Sequence, residues 1–341
     1  MTDQDMPPAV IEFLRRHGLL APGKEAPLTP LTGGVSSDLW RVDLPSGPIC
    51  VKGALPQLKV AHPWFAPVSR NRVEYQWLRL AQPLAPGQIP RVLAHDEQAG
   101  LFAMEYLPAG KYPVWKTLLL AGQVDVPAAR DVGVLVGRLH AASAADPAAA
   151  AMFATDENFD ALRIGPYLRV TARAYPDLEH RFAELATRTA ATHLAVVHGD
   201  VSPKNILLGP HGPVLLDAEC AWYGDPAFDV AFCINHLLIK SIKLPHQAAA
   251  LRTAARALAD GHARYVHWEP ADRLNGRVAS LTPALALARV DGSSPVEYLS
   301  EAQRAVLRSV SRSLMAVPPA SVCELVDRWA TLTERRKVSV R

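Results

Sequence analysis

Between positions 196 and 231 the chain reads VVHGDVSPKNILLGPHGPVLLDAECAWYGDPAFDVA, apolar pieces of strand length alternating with polar loops. In His198-Gly199-Asp200-Val201-Ser202-Pro203-Lys204-Asn205 an amide follows a carboxylate by five residues. Phosphoryl transfer to an alcohol needs a carboxylate that orients the hydroxyl and accepts its proton, and oxygen ligands for a metal ion on the phosphates. Asp200 suits the first task and Asn205 the second; the bland alternative is a loop Asp and Asn that only satisfy turn backbone. His198 reads as a residue holding the loop rather than reacting. Further on, Leu215-Leu216-Asp217-Ala218-Glu219 sets two carboxylates two residues apart after an apolar strand. A strand end projects such residues to one side, which suits a hard cation with oxygen ligands. Asp217 is the stronger metal ligand. Glu219 is either a ligand, a supporting group or an ordinary exposed glutamate.

A second set lies upstream. Gly33-Gly34-Val35-Ser36-Ser37 is a glycine turn between strand-like segments. Its N–H groups, with Ser36 and Ser37, could close over phosphates, although paired glycines also serve plain hairpins. Lys52 stands on the next strand-like segment and Glu74 on the helix-like one after it. A strand lysine pointing into a cleft can hold phosphates while a helix glutamate holds the lysine; the alternative is an exposed Lys52.

Positioning these residues requires two lobes. Val10, Phe13 and Leu14 recur at helical spacing within 9–20, with Gly23 as the stop. Three strands follow over 26–31, 39–42 and 49–52, with Pro45-Ser46-Gly47 as a turn, which predicts an antiparallel meander. Val73, Trp77 and Leu80 predict a helix over 69–81, and 91–94 and 101–104 predict two more strands. The expected first lobe, 1–104, is thus a five-stranded antiparallel sheet plus a helix. Residues 105–112, with Pro108 and Gly110, read as a hinge, and 113–341 as a mainly helical second lobe. There Val132, Leu135, Val136 and Leu139 form an i, i+3, i+4, i+7 stripe in 128–145. Helices are also expected over 176–191 and 247–262, helix or linker over the Ala-rich 144–151, and a basic tail at 334–337.

Composition excludes several classes. The chain has 341 residues, 49% hydrophobic and 20% charged, with a net charge of +3, too small to imply nucleic-acid binding. Four scattered cysteines without a C-x-x-C pair argue against a zinc site and for a reduced, cytoplasmic setting. The acidic start MTDQDMPP lacks a signal peptide's basic and apolar regions. No apolar run approaches the roughly 20 residues of a membrane helix; 230–239 carries Asn235 and His236 and reads as a buried helix. No G-x-x-x-x-G-K-[ST] and no G-x-S-x-G occurs, which disfavours a P-loop nucleotidase and a serine hydrolase.

The ordered set Gly33-Gly34, Lys52, Glu74, Met104-Glu105-Tyr106-Leu107, His198-Gly199-Asp200 with Asn205, then Asp217, resembles the protein-kinase-like fold, an α+β bilobal architecture. Within it the chain is similar to the aminoglycoside phosphotransferase and choline kinase group. Asp217-Ala218-Glu219 followed by Gly224-Asp225-Pro226 and Asp229 extends the likeness. The resemblance implies Asp200 as catalytic base, Asn205 and Asp217 as magnesium ligands, and Lys52 as a phosphate anchor paired with Glu74. It also implies that the backbone of Glu105 and Leu107 meets adenine with Met104 behind it, and that Asp229 braces the loop. ATP is the implied donor, GTP serving some members, and Mg2+ the implied metal. Ser202 stands where protein kinases carry a lysine, with Lys204 a partial substitute, and 218–229 leaves no room for an activation loop. A small-molecule hydroxyl acceptor therefore fits better than a protein.

From His236 onward 16 Lys and Arg stand against 9 Asp and Glu, a net of +7. That disfavours polycationic aminoglycosides, the competing acceptor class. Asp217-Ala218-Glu219-Cys220-Ala221-Trp222-Tyr223-Gly224 and Val114-Trp115-Lys116 also look like the methylthioribose kinase branch, which favours a sugar or related metabolite such as an amino alcohol. Arg304, Arg308 and Arg312 at helical spacing read as a solvated face, not a nucleic-acid patch. The rival of another class is an inactive kinase-fold binding protein, against which the joint presence of Lys52, Asp200, Asn205 and Asp217 speaks. A monomer or a homodimer is expected.

Overall fold

Strand alternation decides which face of the first lobe carries Lys52. The computed structural model describes residues 7–31, 37–55, 57 and 67–338. Five antiparallel strands, β1 (Leu28–Pro30), β2 (Ser37–Leu44), β3 (Gly47–Ala54), β4 (Val92–Asp96) and β5 (Leu101–Glu105), form a sheet in the order β1-β2-β3-β5-β4. Val42, Ile49, Val51, Leu101 and Ala103 bury one face against Val10, Phe13 and Leu14 of the helix Pro8–Arg16. Cross-strand partners share a face, so the register Leu39↔Lys52↔Phe102 and Cys50↔Met104 turns Lys52, Cys50 and Met104 to the opposite face. Ser37, two residues before Leu39, points the same way. The helix Arg70–Ala81 supplies Val73, Trp77 and Leu78 to the main core and Glu74 to the cleft.

The first helix stops four residues before the expected end. Gly18 takes φ +68°, and the N–H groups of Leu19 and Leu20 both return to Leu14 O, which closes the helix there.

The second lobe is helical, as expected, around one long apolar segment. Every residue from Ala227 to Ile242 of the helix Ala227–Lys243 is buried. It packs between the helices Ala248–Ala263 and Ala271–Asp291, and Ala248–Ala263 lies in turn on Val126–Ser143. Two short antiparallel strand pairs carry the loops of interest: β6 (Ala195–Val197) pairs with β9 (Trp222–Gly224), and between them in the chain β7 (Ile206–Gly209) forms a hairpin with β8 (Gly212–Leu215). One element departs from the sequence reading. Residues 334–337 are not a tail: the helix Val322–Val338, anchored by the buried Leu325, Val326 and Trp329, runs through them. Asp160–Arg169 is a wide π-helical segment in which Val170 N–H reaches back five residues to Gly165 O, with Pro166 inside it.

Helices Val126–Ser143 and Ala248–Ala263 meet backbone to backbone. A Cβ at Gly133 would fall 2.0 Å from Leu258 O, and one at Gly261 would fall 2.3 Å from Arg130 O. Gly133→Ala is expected to destabilise the protein by about 1–3 kcal/mol, read as a lower urea midpoint; an unchanged midpoint would show that the helices can separate freely.

Candidate active site

The cleft centres on one ammonium. Lys52 Nζ lies 2.6 Å from Glu74 Oε2 and 2.5 Å from Asp217 Oδ1. Lys52 and Glu74 are almost wholly buried, so each depends on the other for its charge. Burial pushes the Glu74 carboxyl up to about 7, against the pull of Lys52 and with the help of Asp217. Asp217 moves the other way: against its own burial, Lys52 and Lys204 hold it well below the usual carboxylate range. Asp217 also sits at φ +68°, a left-handed conformation that a non-glycine residue adopts at a cost of about 1–2 kcal/mol.

Asp200 occupies a loop held by four hydrogen-bonded groups. The carboxylate of Asp229 accepts from His198 N–H at 2.7 Å, Gly199 N–H at 2.8 Å and His140 Nε2 at 3.1 Å. His198 Nδ1 accepts from Asp200 N–H at 3.2 Å, which leaves Nε2 as the donor to Leu216 O at 3.0 Å. Gly199 has φ +78°, and a Cβ there would lie 2.5 Å from Cys220 O, so no other residue fits. Asp200 Oδ2 itself meets Arg163 Nη2 at 2.9 Å and Lys204 Nζ at 3.2 Å. Against the effect of burial, Lys204 and Arg163 hold its pKa below the ordinary value.

Asn205 and Asp217 leave the same end of one hairpin. Asn205 precedes β7, Asp217 follows β8, and Leu216 N–H bonds Asn205 O at 2.9 Å. Asn205 Nδ2 donates to Asp200 O at 3.1 Å, which fixes the amide and leaves Oδ1 without a donor among the described residues. A free amide oxygen beside a strongly acidic carboxylate is the donor chemistry that a magnesium ion takes. The residues present fit that ion.

Glu219, whose charge reaches Lys52 and Glu74, is engaged by an arginine. Its Oε2 accepts from Arg70 Nε at 3.0 Å, and Arg70, wholly buried at the start of its helix, also donates to Pro67 O at 2.9 Å and Leu55 O at 2.5 Å. Ser37 is buried with its Oγ unpartnered, on the cleft face with Lys52. Gly33, Gly34 and Ser36 lie outside the described residues. Met104 is half-buried at the sheet edge of the main core. Glu105 N–H bonds Arg91 O at 3.0 Å, while Leu107 N–H has no partner among the described residues.

A family model described as the phosphotransferase enzyme family, APH, matches residues 27–268. The chain belongs to the APH family. Methylthioribose kinase from Yersinia pseudotuberculosis is 24% identical over 240 residues, 61% of this chain and 57% of that protein. The chain thus spans little more than half the length of such relatives. Two solved structures share the fold. One is a choline/ethanolamine kinase family protein from Mesorhizobium loti (TM-score 0.52, 18% identical, 98% of this chain and 99% of that chain). The other is amicoumacin kinase hAmiN in complex with AMP-PNP, Ca2+ and Ami (TM-score 0.54, 14% identical, 86% of this chain and 89% of that chain).

In this APH-family chain, two arginines contact the candidate residues without any sign in the sequence. Arg163 sits in the π-helical segment, where it also donates from Nε to Gly199 O at 2.5 Å and from Nη1 to Leu162 O at 2.7 Å. Arg70 ties the helix of Glu74 to the segment after Asp217. Asp225, beside the loop, is anchored to Arg277 at 3.0 Å.

Three histidines, His198, His236 and His262, are buried, and burial pushes the pKa of each down. Below about 6.5 the unfolded chain takes protons on them that the folded protein refuses, so stability falls as pH drops. Glu74 acts in the opposite sense, its raised pKa stabilising the fold as pH falls through about 7. At up to about 1.4 kcal/mol per pH unit each, three histidines outweigh one carboxyl. The melting temperature is expected to be lower at pH 5.5 than at pH 7.5; a flat or rising value would show that the histidines take up protons in the fold.

Proposed function

We propose that this chain transfers the γ-phosphoryl group of ATP to a hydroxyl of a sugar or related small metabolite, with Asp200 as base. The observation that carries the reading is the single cleft in which Lys52 bridges Glu74 and Asp217 while Asp200 and Asn205 share the adjoining loop. The curated relatives bear the name methylthioribose kinase, which gives a sugar derivative as their acceptor and supports the same class here. Their greater length leaves the activity of this chain to be measured.

Each residue has a task. Lys52, held by Glu74, would grip the donor phosphates, with the buried hydroxyl of Ser37 on the same face and the turn at Gly33, Gly34 and Ser36 closing over them. The Leu107 N–H and the Glu105 carbonyl would meet the adenine edge beside Met104. Asn205 Oδ1 and Asp217 would hold magnesium, which when bound offsets the charge of the phosphates. Asp200 is too acidic to remove an alcohol proton beforehand. It orients the hydroxyl by accepting its hydrogen bond, and takes the proton as the acceptor oxygen bonds to the γ-phosphorus and the bond to the β-bridging oxygen breaks, releasing ADP. Arg163 and Lys204 keep the Asp200 carboxylate ionised and fixed.

Calorimetry with magnesium-ATP and transfer of labelled phosphate across a panel of sugars and amino alcohols test this. Asp200→Asn should lower turnover by about 10²–10⁴ with nucleotide binding retained. Failure of the chain to bind magnesium-ATP would sink the kinase reading and leave an inactive binding protein. A second test concerns Glu219, proposed from the sequence as a third ligand. Its salt bridge with Arg70 supports a positioning role, so Glu219→Gln should leave the magnesium concentration for half-maximal activity unchanged and mimic Arg70→Gln. A several-fold higher magnesium requirement would return it to the metal.

A further inference from the structure

Beside Asp200 the second lobe gathers an excess of cations around a narrow recess lined by Lys116, Lys204, His236, Lys240, Arg289 and Tyr298, with Glu297 at its rim. Lys204 belongs to both, since its ammonium is the one 3.2 Å from Asp200 Oδ2. Lys116 is paired with Glu297 at 2.5 Å. Two others have no carboxylate partner among the described residues. Lys240 is 1% exposed, with only the His236 carbonyl at 3.5 Å and the Tyr298 ring at 5.2 Å. Arg289 is 9% exposed; Nη1 donates to Tyr167 Oη at 3.0 Å and Ser294 Oγ at 2.9 Å, and its Nε has no partner. The Tyr298 hydroxyl is unpartnered as well. A buried, unpaired ammonium is among the most costly features a fold can carry, and unsatisfied donors converging on one recess call for an acceptor.

We propose that this recess binds an anionic group, a carboxylate or a phosphate, of the molecule that is phosphorylated, so that the acceptor is an acidic hydroxyl compound. The inference rests on the kinase reading for the word acceptor, and on the recess alone for the anion. The recess is narrow, with room for about one water molecule. It therefore takes the oxygen tip of a compact group while the hydroxyl-bearing remainder lies on the Asp200 side. Arg289 supplies a planar fork for an oxyanion, Lys240 a point charge and Tyr298 a neutral donor. Glu297 is too exposed, and too closely engaged with Lys116, to neutralise them. The same cluster repels a polycation.

Burial, then Lys116 and Arg289, pushes the Lys240 ammonium down to about 7, against weaker support from Cys233 and Glu297. His236 is pushed down too, by burial first and then by the neighbouring cations. Anion binding should thus weaken as pH rises from 7 to 9.

The test is calorimetry on the full chain at constant ionic strength with acetate and inorganic phosphate, against the neutral acetamide, and kinetics with gluconate against glucose. Either anion should bind saturably where acetamide does not, and gluconate should exceed glucose about 10- to 100-fold in kcat/KM. Lys240→Met and Arg289→Met, each checked for folding by circular dichroism, should weaken anion binding at least tenfold. No saturable anion binding, or binding equal in both variants, would overturn the proposal, as would a preference for glucose. Anion binding by a chain that fails to bind magnesium-ATP would uphold the recess and defeat the kinase reading instead.

Discussion

The buried carboxylate of Glu74 and the partly exposed one of Asp217 share the ammonium of Lys52, and the architecture of the cleft follows from that division. The three groups come from β3, from the helix Arg70–Ala81 and from the residue after the β7–β8 hairpin, so the contact joins both lobes. Removing one partner of a buried ion pair costs about 3–5 kcal/mol, because the other is left charged and dry. The triad also carries one negative charge too many. Either Glu74, whose carboxyl burial pushes up to about 7, takes a proton, or a further cation beside Asp217 offsets the excess. On the other side, Asp200 faces two cations, Arg163 and Lys204, and the excess there is positive. Between them Arg70 and Glu219 cancel. The cleft is thus polarised, cation-seeking at the donor side and anion-seeking beyond the base.

Fixed geometry, rather than unusual reactivity, distinguishes the loop between these poles. Asp229 takes three donors at once, His198 is committed to one tautomer by Asp200 N–H and Leu216 O, and Gly199 leaves no room for a side chain. Such a loop holds Asp200 in place before any ligand arrives, the preorganisation that the proposed phosphoryl transfer would draw on. The close packing of Gly133 and Gly261 reaches the same loop through His140, which stands on the helix Val126–Ser143 and bonds both Asp229 and His262.

Where sequence pattern has one physical cause, it reads correctly. Period-2 alternation in β3 puts Lys52 opposite the core-facing Val51, and the stripe Val132, Leu135, Val136 and Leu139 is buried as its spacing requires. The motif residues Asp200, Asn205 and Asp217 are legible because the loops and the hairpin that carry them are short, so spacing fixes their neighbourhood. Arg163 is not legible: π-helical turns place its side chain where neither a 3.6 nor a 2.0 period would look. Arg70 and Glu219, 149 residues apart, are joined only by the docking of the lobes. Spacing from Asp217 makes Glu219 a candidate metal ligand, and spacing cannot register the buried Arg70 guanidinium that engages it from another lobe. The terminal helix is missed because its last turns are polar, while it is anchored by the buried Trp329 and Leu325 earlier in the same helix.

The basic recess is the least legible feature, and its energetics explain why it matters. Lys116, Lys204, Lys240 and Arg289 stand on four separate segments. By sequence, Lys240 in the last turn of its helix looks like an ordinary charge at a helix C-terminus, or a side chain snorkelling to water. Tyr298 packs over it and Arg289 lines the same recess; the side chain is 1% exposed, and no carboxylate pairs with it among the described residues. Fold stability by itself would favour methionine or leucine at that position, since burying an unpaired charge costs more than any packing it brings. On the proposed reading, a compensating anionic ligand accounts for a lysine retained at such cost on a recess that Lys204 joins to Asp200.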